Sequence, residues 1–102
     1  MFADPPPAAV AHNPAQQRFE RHVPGAPTPF LSYTRAGDHV VFDHTSVPPE
    51  LRGHGIAAEL TRAALEHARE HHWRIVPACS YVATYINRHP EFEDLTYPLD
   101  PS

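Results

Sequence analysis

The chain has 102 residues, 41% hydrophobic and 20% charged, with a net charge of −4; that gives room for one modest core, with no sign of a disordered or fibrous whole. The acidic balance leaves no general phosphate-neutralising surface and so argues against nucleic acid as a partner, while suiting a cationic small molecule or basic peptide. A single cysteine, Cys79, excludes an internal disulfide. The Met1-Phe2-Ala3-Asp4 start lacks a basic n-region and an apolar h-region, and no run approaches about 18 apolar residues. A cytoplasmic protein with no membrane span is expected.

Residues 1–15 are proline and alanine with little to bury and read as a disordered tail; 16–96 read as the structured domain and 97–102 as a C-terminal tail. Gln17 to Val23, around Phe19, is a strand candidate closed by the loop Pro24-Gly25-Ala26-Pro27. Pro29 to Thr34 puts Leu31 and Tyr33 on one face, Ala36-Gly37-Asp38 is a turn, and His39 to Val47 resumes an extended, β-branched pattern. A three-stranded antiparallel meander follows.

Pro48 and Pro49 have no amide proton to donate and end that ladder. Beyond them Ile56, Leu60, Ala63, Ala64 and Ala68 recur at helical spacing, with Glu59, Arg62, Glu66, Arg69 and Glu70 largely opposite. This helix ends near His71-His72. Trp73 to Val76 reads as a short strand stopped by Pro77. A second helix is expected from Cys79 or Ser80 to Arg88, with Val82, Tyr85, Ile86 and His89 inward and Pro90 as its stop. A long crossover helix between two strands is what parallel neighbours require, so the strands holding Val41 and Ile75 should lie side by side. The fold class expected is α/β: a mixed sheet of antiparallel meander plus one parallel strand after a crossover helix, with two main helices.

The segment Arg52-Gly53-His54-Gly55-Ile56-Ala57 sits between a strand and a helix. The first amides of a helix have no intrahelical acceptor, two glycines permit close approach, and the helix dipole favours an anion, so a pyrophosphate suits this loop. Gly-x-Gly alone more often marks a plain helix-starting turn. Context adds more. The segment resembles the acetyl-coenzyme-A loop, Gln/Arg-x-x-Gly-x-Gly/Ala, of the GNAT N-acetyltransferases. With His44-Thr45 through Leu65, Pro77-Ala78-Cys79-Ser80-Tyr81-Val82, Tyr85-Ile86, Arg88-His89-Pro90 and Asp94-Leu95, residues 16 to 96 are similar to a very small, minimal subfamily of that family.

That resemblance implies a splayed pair of parallel strands with the pantetheine arm between them. Val47 would offer backbone groups to it, and Arg52, Gly53, His54, Gly55, Ile56 and Ala57 would line the phosphates, with charge-assisted help from Arg52. It implies acetyl-CoA as co-substrate and an amine acceptor, a small molecule or a protein lysine. Ser46 stands where close relatives often carry a glutamate, which leaves His44, Glu50 or an ordered water as the base.

Cys79 follows a strand-ending proline at the start of a helix, a setting that favours a thiolate, although a lone cysteine is commonly apolar filler. The resemblance implies that it faces the acetyl group, either carrying it covalently or abutting the thioester. His67-Ala68-Arg69-Glu70-His71 matches the His-x-x-Glu-His pattern of inverted zinc peptidases, but nine histidines make chance matches common and no third ligand is identifiable, so no metal is expected. Tyr81, Tyr85 and Trp73 read as core packing rather than a stacking platform. Two functions follow: an N-acetyltransferase acting on a primary amine, with Cys79 and His44 as catalytic candidates, or a non-catalytic acyl-CoA-binding or regulatory module.

Overall fold

A computed structural model describes residues 10–96. The chain order is β1 (Val10–Asn13), β2 (Arg18–Arg21), β3 (Phe30–Ala36), β4 (His39–Ser46), a 3-10 turn at Pro49–Leu51, α1 (Ile56–Glu70), β5 (Arg74–Pro77), α2 (Ser80–Arg88) and a 3-10 segment at Pro90–Leu95. The strands form one sheet in the order β1-β2-β3-β4-β5. β1 to β4 are antiparallel; β5 joins β4 in parallel, with Val40 opposite Ile75 and Val41 opposite Val76. This is the expected α/β class, with α1 as the crossover.

One boundary is corrected. Val10–Asn13, placed in the N-terminal tail by its proline-rich surroundings, is a strand paired with β2, His12 opposite Phe19. The antiparallel part therefore has four strands, not three. The pairing is worthwhile because His12 stacks on Phe19 at 4.6 Å and bonds the Tyr33 hydroxyl at 2.7 Å, contacts no local pattern announces. The rest of the two expected tails, residues 1–9 and 97–102, lies outside the described residues.

Alternation sends Phe19, Leu31, Tyr33, Val40 and Phe42 to one face of the sheet. There they meet Leu60, Ala64, Leu65 and Ala68 of α1, and Val82 and Ile86 of α2. Full burial of each large side chain contributes about 1.5–3 kcal/mol before chain entropy is charged. The one buried polar residue among the described residues, Thr61, satisfies its hydroxyl on the Ala57 carbonyl at 2.8 Å. Where α1 ends, His72 takes a left-handed φ of 57°, and the amides of His72 and Trp73 return to the carbonyls of Arg69 and Ala68. That paired closure turns the chain into β5.

The β3–β4 register slips between Ser32 and Tyr33: Ser32 pairs with His44 but Tyr33 with Phe42, leaving Asp43 as an extra residue in β4. The slip reverses which β4 residues share the core-side face, so that Thr45 lies opposite Leu31 there and His44 lies opposite Ser32 on the other side. Among the described residues no helix is long and apolar enough to cross a membrane.

Candidate active site

β4 leads out through Val47-Pro48 into the 3-10 turn, and the loop Arg52–Gly55 then delivers the chain to α1. Gly53 and Gly55 have φ of 86° and 77°. A Cβ at either would touch nothing within 4 Å, so the backbone angle itself is what calls for glycine here. The first intrahelical bond of α1 is donated by Glu59 to Gly55 at 3.0 Å, so the amides of Ile56, Ala57 and Ala58 precede the ladder and face outward from the helix end.

These groups border a cavity of 210 Å³ lined by Val47, Leu51, Arg52, Gly53, Gly55, Ile56, Ala57, Ala58 and Tyr81. Six of the seven residues expected to hold the cofactor are thus brought together. His54 is exposed and does not line the cavity. Arg52, the only cation of the lining, donates from Nε to the Val47 carbonyl at 3.1 Å, which joins the two ends of the loop.

β5 stops pairing at Pro77, opposite Phe42, while β4 runs on to Ser46. At the point of divergence the Cys79 amide donates to the Phe42 carbonyl at 2.9 Å. Cys79 is the N-cap residue of α2, and its Sγ lies 3.6 Å from the Thr45 hydroxyl. Burial by itself would push the thiol pKa up, but bonds from the Thr45 hydroxyl and from the Val82, Tyr81 and Thr45 amides outweigh it, and the net displacement is downward. Cys79 does not line the loop cavity; its thiolate-favouring sulfur stands beside Thr45, and Tyr81, two residues further on, does line it.

His44 is not brought to that sulfur. It is exposed on the opposite side of β4, its ring edge-on to Phe30 at 6.3 Å. Glu50 is exposed in the 3-10 turn. His67 and His71 stack at 3.9 Å, and the His71 ring donates from Nδ1 to the His67 carbonyl. Among the described residues no three histidine, cysteine or acidic groups are arranged to hold a metal ion.

Besides Leu51 and Ala58 of the lining, two residues of the site escape a reading of the sequence. Thr45 is one: simple alternation is broken by the slip at Asp43, which sequence periodicity cannot register. Tyr81 is the other, and a correction: Tyr85 is buried and Trp73 packs among aromatic rings as expected, but Tyr81 is 39% exposed and lines the cavity. Its place one residue outside the stripe Val82, Tyr85, Ile86 was the available signal.

Residues 18–95 match the family model described as GCN5-related N-acetyl-transferase. Protein NATD1 of Mus musculus is 31% identical over 86 residues, covering 82% of this chain and 78% of the mouse protein. The Homo sapiens protein of that name is likewise 31% identical, over 82% and 76% of the two chains. A GCN5-like protein of Staphylococcus aureus, solved in solution by NMR, superposes with a TM-score of 0.68 over 89% of each chain at 24% identity, a likeness of fold. The family match spans the whole described domain beyond β1, and the chain belongs to the GCN5-related N-acetyltransferases.

Proposed function

We propose that the chain binds acetyl-coenzyme A along the Arg52–Ala57 loop and transfers the acetyl group to a primary amine through Cys79. The observation that carries this reading is the cavity at the start of α1, whose uncommitted amides adjoin the stretch of β4 that β5 leaves unpaired. The diphosphate sits on the amides of Ile56, Ala57 and Ala58, with Arg52 released from the Val47 carbonyl to pair with it. The pantetheine arm runs along the open edge of β4 past Val47, where peptide groups on both sides complete each other's bonds.

Coenzyme A supplies the acetyl group as a thioester. The Cys79 Sγ thiolate adds to the acetyl carbon, a new S–C bond forms, and the old C–S bond breaks as coenzyme A leaves and takes a proton from water. The acceptor amine then displaces Sγ from the acetyl group. Its surplus proton passes to water, because His44 is exposed on the other side of β4 from the sulfur. A net charge of −4 suits a cationic acceptor. A reducing cytoplasm keeps Cys79 a thiol.

The test is coenzyme A release from acetyl-coenzyme A against a panel of lysine peptides and polyamines, with the intact protein weighed after mixing without acceptor. An acetyl group retained on Cys79 and thiol release that needs the amine are expected. Binding without release under any acceptor would make the chain an acyl-CoA-binding module instead, and full turnover in Cys79→Ala would remove the covalent route.

A further inference from the structure

The loop cavity lies at the first turn of α1. At the other end of the helix, roughly 22 Å along the axis for fifteen residues, a cavity of 430 Å³ opens where α1 passes into β5. Arg69, His72, Trp73, Arg74, Asp94 and Leu95 line it, and none of them lines the loop cavity. Its volume falls within the range of about 300–1,000 Å³ in which proteins hold small molecules.

One wall is fixed by an ion pair. Arg69 donates from its two terminal nitrogens to the two Asp94 oxygens, each at 3.0 Å, and from one of them to the Glu91 carbonyl as well, which ties the last turn of α1 to the 3-10 segment. The same bonds hold the Asp94 carboxyl below the usual carboxylate range, so it stays ionised and paired. Arg69 and Asp94 therefore satisfy each other. The remaining polar groups of the lining do not. Arg74 is exposed, and among the described residues its guanidinium makes a single hydrogen bond, a long one of 3.4 Å to the Thr96 carbonyl, out of five N–H donors. The His72 ring is exposed and has no hydrogen-bond or ring partner among the described residues.

Beside these open donors stand the half-buried Trp73 indole and the buried Leu95. A guanidinium fork takes both oxygens of one carboxylate, and an indole with a leucine covers an apolar body of small size. A dianionic phosphate would find only one open guanidinium. We propose that the α1–β5 corner is a second ligand site, for a small monocarboxylate with an aromatic or branched apolar body, its carboxylate on Arg74 and His72 and its body on Trp73 and Leu95. Arg74 opens β5 whereas Cys79 follows its far end, so this ligand is an effector and not a reactant. The inference stands apart from the reading of the loop, since the two cavities have no residue in common.

Trp73 is the only tryptophan of the chain and so reports on its own site. The experiment follows its fluorescence while the full chain is titrated with phenylacetate and with phenylacetamide, the uncharged analogue, in the wild-type protein and in Arg74→Gln, with thermal melts confirming that both fold. Phenylacetate should give a saturable change, with an affinity about tenfold or more above that of the amide, as one charge-assisted pair supplies. In Arg74→Gln that preference disappears. Equal affinities for acid and amide in the wild type overturn the proposal, as does a preference that survives Arg74→Gln. A response to a glutamate-rich peptide with none to phenylacetate would make the corner a protein contact and overturn it equally.

Discussion

The Thr45 hydroxyl sits 3.6 Å from the Cys79 sulfur, joining β4 to the start of α2 across the point where β4 and β5 part. Since that bond is among those that pull the thiol pKa down against burial, removing it moves the pKa up. In Thr45→Val the pH profile of Cys79 alkylation by iodoacetamide shifts to higher pH and the rate near neutrality falls. Thr45→Ser restores it. The stability change stays within about 1 kcal/mol, the net worth of one hydrogen bond. An unshifted alkylation profile in Thr45→Val would show that the threonine has no hold on the thiolate.

Gly55 caps α1 from a left-handed conformation, φ 77°, with open space where a Cβ would stand. Gly55→Ala therefore loses stability through the backbone alone, by roughly 1–2 kcal/mol. That corresponds to a fall in melting temperature of about 4–8 °C per kcal/mol for a domain of this size. Thermal melts of the two proteins decide it, and an unchanged midpoint would mean that the loop re-forms with a different cap.

At the other end of α1 the same logic runs in reverse. His72 holds φ 57° without being glycine, exposed, at the position where helices most often place one. His72→Gly relieves that strain but adds freedom to the unfolded chain, so the gain is modest, about 0.5–1 kcal/mol. Urea titration should show a higher midpoint with an unchanged slope.

Much of this architecture was legible because the signals were local. Pro48-Pro49 ended β4, Gly55 opened α1, Pro77 ended β5 and Pro90 stopped α2, each through a missing donor or a special φ that one residue type reveals. β1 was not legible, since Val10-Ala11-His12-Asn13 has a short, mixed pattern whose value lies in His12 meeting Phe19, Tyr33 and His67 from distant parts of the chain. The loop residues of the site could be read from glycine spacing. Thr45 and Tyr81 could not, because the first depends on a one-residue slip in register and the second on a groove formed only when α1 and α2 pack.

His44 and Cys79 stand on different sides of β4, which separates their expected phenotypes. His44→Gln should leave kcat for amine acetylation and the dissociation constant for coenzyme A within about twofold of wild type, because the ring stands across the sheet from the sulfur. Cys79→Ala should lose the acetyl-enzyme and its turnover. A fall of about a hundredfold in kcat for His44→Gln would show that the acceptor is deprotonated from the His44 side.

The last prediction concerns pH. His12, His67 and His71 lie ring against ring, with centroids 4.4 Å apart between His12 and His67 and 3.9 Å between His67 and His71. Phe19 from β2, Tyr33 from β3 and Trp73 close around them, and the Arg35 guanidinium stands over Trp73. Burial lowers the pKa of His12, with His71 adding to it; burial lowers that of His67 too, reinforced by His12 and His71 and opposed by Glu70. Because both groups bind protons more readily when unfolded, the stability they confer is fully present above the unfolded value of 6.5 and is lost as pH falls through the lower folded values. The carboxylates held low by arginines, Glu20 and Asp94, add acid sensitivity only below their unfolded values of 4.5 and 3.8. Urea midpoints compared at about pH 7.5 and about pH 5 therefore isolate the histidines. The midpoint should fall at the lower pH, and His67→Gln should flatten the dependence by removing the central ring of the three. A wild-type midpoint that does not move across that interval would show that the rings tolerate their charges, and that β1 is held to α1 by packing alone.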